Sequence, residues 1–254
     1  RVFDSVSGGD ALLVLEVGSE VKALVAFKDL ATGAPRLASG SRDRKVRVFD
    51  PVAGGEALVV LEGHTSRLEA LTAFTDPATG EPRLVSGSYF PDKSVRVWNP
   101  AAGGAAIEAE PEGHSDEVKA LVTFVDPATG EARLVSGSGC YDKSVRVWNP
   151  AASGAAIAAE PEAHSDEVKA LVSFVDPTTG ALRVATGSWG EIRVWDANTG
   201  DSVLVLDVGE EIKALQAFED PATGAPRLAC GTHKYDSETD SHTGDVRVFD
   251  PVAG

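Results

Sequence analysis

The chain is 254 residues long, 43% hydrophobic and 24% charged, with a formal net charge of −16. Such acidity argues against binding nucleic acid phosphates or an anionic membrane, which both need a basic surface, and favours a partner of basic character. No segment reaches the roughly 18 to 20 apolar residues that cross a bilayer, and two cysteines ninety positions apart form no disulfide framework, which suits a reducing, cytoplasmic compartment.

In chain order, the first element is a four-residue phrase that recurs six times, as RVFD, RVFD, RVWN, RVWN, RVWD and RVFD, starting at Arg1, Arg47, Arg96, Arg146, Arg193 and Arg247. Starts 46, 49, 50, 47 and 54 residues apart mark a supersecondary unit that buries its apolar faces by stacking on copies of itself. The chain holds no Met and opens inside a repeat, so it reads as a piece of a longer polypeptide. No signal sequence is visible.

The unit reads as four short strands. A weak apolar run spans Ala105 to Glu110, with the more strand-like ALLVLE, ALVVLE and SVLVLD as its equivalents elsewhere. After EGHSDE come VKALVTF (Val118 to Phe124), the turn DPATGEA, RLVSGS (Arg133 to Ser138), a variable loop, SVRVWN (Ser144 to Asn149) and a PAAGG-type turn. Strands this short, punctuated by Pro, Gly and Asp at set offsets, predict an all-β chain of antiparallel meanders. The first, second and fourth strands occur five times and the third six, because Arg1 to Asp4 and Arg247 to Asp250 are both third strands.

Gly-His before a first strand and Trp-Asp at the end of a third resemble the marks of the WD40-repeat β-propeller family. Here they stand as Gly63-His64, Gly113-His114, Ala163-His164, Trp98-Asn99, Trp148-Asn149 and Trp195-Asp196. The resemblance spans residues 1–254 as one propeller domain that begins and ends within a repeat. It implies four-stranded antiparallel blades, about five of them, as a closed five-bladed ring or part of a larger propeller. It also implies a buried hydrogen-bonded chain in each complete blade: His64, Ser86, Asp92 and Trp98 in one, His114, Ser136, Asp142 and Trp148 in the next. The following repeat keeps His164, Thr186 and Trp195 but lacks the Asp. In the outer repeats Val17-Gly18 and Val208-Gly209 replace Gly-His, and Phe49 and Phe249 replace Trp. Those two blades are expected to rely on apolar packing alone.

Strands connect alternately on two rims. The DPATGE and PAAGG turns share one rim and barely vary. The other rim carries RDRK, YFPDKS, GCYDKS, WGE and HKYDSETDSHTGD, and divergent loops on a repeated scaffold are where recognition resides. Its candidate partner-binding residues are Tyr89, Phe90, Tyr141, Trp189, His233 and Tyr235, since exposed aromatics anchor protein contacts. An equally good alternative is that each ring covers its own blade edge.

Two further features lie on that rim. Lys22, Glu69, Lys119, Lys169 and Lys213 each follow Glu20, Arg67, Glu117, Glu167 and Glu211 by two residues, so each pair points to one side of its strand. In the WD40 family the Lys position faces the mouth of the central channel, where peptides often bind. Both signs are exchanged together at Arg67 and Glu69, which favours an ion-pair ring over a ligand site. In the last loop Asp236, Glu238 and Asp240 echo a calcium loop, but Ser241 and Arg247 occupy its glycine and bidentate-glutamate positions. An acidic hairpin tip is the better reading.

No Ser-His-Asp set or phosphate loop stands apart from the repeats, and neither Cys140 nor Cys230 has a nearby candidate base. The sequence therefore predicts a non-enzymatic scaffold for a protein or peptide, with no cofactor, metal, nucleic acid or membrane, and self-association if the ring is open. Two alternatives stand: a small-molecule or metal-binding propeller using residues 233–245, and a structural subunit of a large assembly.

Overall fold

The computed structural model describes residues 1–3, 10–101, 106–108, 114–127, 129–150, 158–160 and 164–252. Asp4, Gly113, Ala163, the ends of the 105–110 run and most of the second and third PAAGG-type turns lie outside them. The fold is all-β. Blade 1 is β1 (Val21–Lys28), β2 (Pro35–Ser41), β3 (Val46–Phe49) and β4 (Val59–Leu61), paired antiparallel in that order. Blade 2 repeats the order with β5 (Leu68–Thr75), β6 (Pro82–Ser88), β7 (Val95–Trp98) and β8 (Ala106–Glu108). Blade 3 does so with β9 (Val118–Val125), β10 (Ala132–Ser138), β11 (Val145–Trp148) and β12 (Ala158–Glu160).

Blades 4 and 5 share a strand. β13 (Ala170–Val175), β14 (Leu182–Gly187) and β15 (Trp189–Asp196) pair onward to β16 (Ser202–Glu219), which continues into blade 5 against β17 (Pro226–Asp236). The two strands expected here run on without a loop through Val208-Gly209, which replaces Gly-His. Gly209, at φ +73°, takes the left-handed backbone a side chain disfavours. β17 then pairs with β18 (Ser241–Thr243) and, lower down, with β19 (Val246–Phe249).

The repeated turns explain their uniform sequence. Asp76 Oδ1 accepts from the Ala78 amide, its Oδ2 from the Thr79 hydroxyl, and its carbonyl from the Gly80 amide. Asp176 and Asp220 make the same amide contact in their own turns. Such Asx turns satisfy a chain reversal internally.

Consecutive blades stack through four buried apolar clusters, one per junction. Each junction has one geometry: the first core residue of the incoming blade presses on the glycine of the previous blade's second strand. A Cβ built at Gly40 would stand 3.3 Å from Leu68, and one at Gly87, Gly137 or Gly187 only 2.6 Å from Val118, Val168 or Ile212. Among the described residues no strand pairing and no buried cluster joins blade 5 to blade 1. Of the arrangements the repeat count leaves open, the described residues form an arc of five units.

The fourth-strand run at residues 11–16 differs from expectation. Among the described residues it makes only an isolated bridge, Val2 to Leu13.

Candidate interaction rim

The polar chains are built from four places in each blade: the lead-in to the first strand, the second strand, the loop after it, and the third strand. In blade 2, Trp98 Nε1–H donates to Ser86 Oγ at 2.7 Å, and His64 lies 2.7 Å from Ser86 Oγ through Nε2 and 2.9 Å from Asp92 through Nδ1. The serine oxygen thus bridges the indole and Nε2, while Nδ1–H donates to the carboxylate, which can only accept. Blade 3 repeats the set with Trp148, Ser136, His114 and Asp142. Burial pushes the carboxyls of Asp92 and Asp142 up, but hydrogen bonds from the histidine and from Ser94 or Ser144 outweigh it. Both are held far below the ordinary carboxylate range.

Blade 4 holds a residue that the sequence reading missed. Glu191, carried inward by the tight turn at Gly190, takes the place of the absent Asp, 2.9 Å from His164 Nδ1. His164 Nε2 and Trp195 Nε1 meet Thr186 Oγ1 at 2.6 and 2.8 Å. Burial lowers His164 to about 4, so it is neutral near pH 7. The signal was the spacing: Glu191 precedes Trp195 by four residues, whereas Asp92 precedes Trp98 by six, and only the shorter turn makes them equivalent.

The outer blades solve the same problem unequally. Blade 5 places Cys230, a buried thiol with little hydrogen-bonding demand, where the others have a hydroxyl. Blade 1 keeps Ser39, whose buried Oγ has no hydrogen-bond partner beneath Phe49. Apolar packing is thus complete at Cys230 and incomplete at Ser39.

The Glu and Lys positions form a ladder across blades 3 to 5. Lys119 pairs with Glu117 and lies 3.6 Å from Glu167; Lys169 meets Glu167 at 2.5 Å and also pairs with Glu211. Glu211 further binds Lys213 at 2.9 Å and His233 at 2.8 Å. Burial raises the Glu211 carboxyl, but hydrogen bonds from Lys169, Lys213 and His233 bring it down to about 2. In blade 2 the exchanged pair bonds internally, Arg67 to Glu69 at 2.5 Å, and the Arg67 guanidinium lies 3.3 Å from the Tyr89 ring centre. The exchange thus has a local cause: a planar cation stacks where a lysine would not.

The rim aromatics separate into two kinds. Tyr89 is half-buried beneath Arg67, whereas Phe90, Tyr141 and Trp189 are 57%, 88% and 51% exposed. Asp116, which the sequence reading passed over, accepts from the Tyr141 amide at 3.0 Å and holds that loop. Residues 233–243 extend as a hairpin. His233 Nε2 lies 2.9 Å from His242 Nδ1, the two rings stack, and exposed Tyr235 packs on His242. Among the described residues no group of three or more His, Cys, Asp or Glu side chains is arranged to hold a metal ion.

Four-stranded antiparallel blades stacked face to face, with a buried His–hydroxyl–indole chain in each inner blade, define a β-propeller type of repeat protein. The family described as WD domain, G-beta repeat matches residues 55–99 and 108–149, so the chain carries WD40 repeats over those residues. WD40 repeats generally mediate protein–protein interaction and are typically non-enzymatic scaffolds. No curated protein matches the chain.

Proposed function

We propose that this chain is a non-catalytic scaffold whose variable rim receives a protein or peptide segment of basic character. The observation that carries the reading is the contrast between the two rims. On one, Phe90, Tyr141, Trp189 and Tyr235 stand exposed on loops held by rigid blades; on the other, the Asp turns spend their polar groups on their own backbone. Aromatic rings on a fixed frame give large contact area at little entropic cost. The net charge of −16 favours a cationic partner and steers its approach. The histidines at the blade centres are occupied in structural bonds, so they offer no free base for catalysis.

Screening a basic peptide library at low salt tests the reading. Alanine at Tyr141 or Trp189 is expected to weaken binding by about 2 kcal/mol, while Thr79→Ala on the opposite rim leaves it unchanged. A hydrogen-exchange footprint confined to the Asp turns would reverse the choice of rim.

A further inference from the structure

Of the five histidines in the chain, His64, His114 and His164 are taken up in the blade chains. The other two stand together. His233 and His242 belong to the hairpin of β17 and β18, which extends the longest of the rim loops. Tyr235 pairs directly with His242, and His233, two residues before Tyr235, shares its face of the strand, whereas Lys234 between them points to the other face. The imidazoles therefore reach each other diagonally, with His233 Nε2 2.9 Å from His242 Nδ1 and the ring centres 5.2 Å apart. The Tyr235 ring backs His242 at 5.0 Å.

The state of the pair is set from one side. Glu211 is held by Lys169 and Lys213, and as a carboxylate it can only accept, so the proton on His233 Nδ1 is given to it. The His233 lone pair is then at Nε2 and faces His242 Nδ1, whose N–H donates to it. Metal-binding histidines are held in this way, the far nitrogen fixed by a carboxylate and the near one left to coordinate. The spacing fits as well. First-row divalent ions hold imidazole nitrogen at about 2.0 to 2.1 Å, so adjacent positions of a square-planar or octahedral ion lie about 2.9 Å apart, against about 3.4 Å for tetrahedral ones. The two nitrogens here match the right-angled case.

We propose that His233 and His242 form a binding site for one divalent transition-metal ion, with copper(II) preferred to nickel(II) and zinc(II). The ion takes the place of the proton between the rings. His233 Nε2 and His242 Nδ1 coordinate it, the displaced proton is exchanged through water to Nε2 of the exposed His242 ring, and water fills the remaining positions. Glu211 is a positioning residue that touches no metal and keeps the His233 lone pair turned towards the site. The preference follows from the donors and their spacing: affinity of nitrogen sites rises to copper and falls at zinc, whose tetrahedral habit the right angle does not meet. The proposal does not depend on what the exposed aromatic rings of the rim bind.

Calorimetric titration of the full chain with copper(II) chloride, in a Cys140→Ser background that removes the exposed thiol, tests the assignment. One equivalent is expected to bind with a dissociation constant on the order of micromolar, and nickel(II) and zinc(II) more weakly. His233→Gln and His242→Gln should each weaken copper binding about tenfold or more, while Asp236→Asn with Glu238→Gln at the acidic tip leaves it unchanged. Electron paramagnetic resonance of the copper complex should show two equatorial nitrogens in the parent and one in either histidine variant. Glu211→Gln should lower affinity about tenfold yet keep both nitrogens in the spectrum, as a positioning role requires. Circular dichroism matching the parent separates a lost ligand from a lost fold. Absence of copper binding would overturn the proposal, as would affinity indifferent to both histidine substitutions, affinity lost with the tip carboxylates, or a one-nitrogen spectrum in the parent.

Discussion

Ser86 and Ser136 each stand between an indole and an imidazole, and every bond in the chain depends on the next. Replacing Trp98 by Phe removes the only donor at that end and leaves a buried hydroxyl short of a partner. A loss of about 1 to 3 kcal/mol in denaturant unfolding is expected, against little change for a Phe substitution at exposed Trp189. His164 adds a pH dependence. Its folded value is about 4 and its ordinary value 6.5, so between them the unfolded chain binds a proton that the folded one does not. Stability should therefore fall as pH drops from 6.5 towards 4, by up to about 3 kcal/mol. Unfolding measured at pH 7, 5.5 and 4.5 checks this, and His164→Asn should flatten the slope. Asp92 and Asp142 act with the same sign in a lower pH window. Their folded values are depressed, so their contribution is intact above 3.8 and is lost only in stronger acid.

At the scale of the element, the blade is a sheet whose second strand must present a glycine to its neighbour. Gly87→Ala and Gly137→Ala would drive a methyl group to within 2.6 Å of a fully buried valine, and each should cost about 1 to 3 kcal/mol by overpacking. Gly231→Ala has the same place in its second strand and, among the described residues, no incoming blade, so its effect on the stability of the isolated chain should be near zero. Thermal unfolding of the three variants side by side decides the matter. Equal losses at Gly87 and Gly231 would mean that the glycine serves the strand itself and not the junction.

Across the whole molecule, order is kept by contacts between consecutive blades: four apolar clusters, with the ladder of carboxylates and ammonium groups laid over three blades. The apolar clusters supply the stability, and the partly exposed charges supply register. A double-mutant cycle with Lys169→Gln and Glu211→Gln should give a coupling of about 0.2 to 1 kcal/mol at low salt that shrinks as salt is raised. Strict additivity at low salt would show that the ladder does not link blades 4 and 5. Restoring the common pattern at Arg67 and Glu69 carries a further cost, since it removes the guanidinium from the Tyr89 ring.

Much of this was legible in the sequence because a repeat writes the same physics several times. Period, alternation and turn residues determined the strands and their antiparallel order, and His64, Ser86, Asp92 and Trp98 stood at spacings that a second copy reproduced. Local chemistry of this kind needs no knowledge of distant contacts. What only the tertiary structure decided were relations between segments whose spacing changes from copy to copy. Glu191 replaces an aspartate because a shortened turn moves it inward; β16 runs through two blades at Val208-Gly209, while the matching Val17-Gly18 does not join its strands; Arg67 is exchanged because Tyr89 lies beneath it. The open state of Val21 and Gly231 is likewise set by whether a blade arrives to cover them. Burial is a property of the assembled stack, and identical local sequence leads to a fully buried side chain at Val118 and a half-exposed one at Val21.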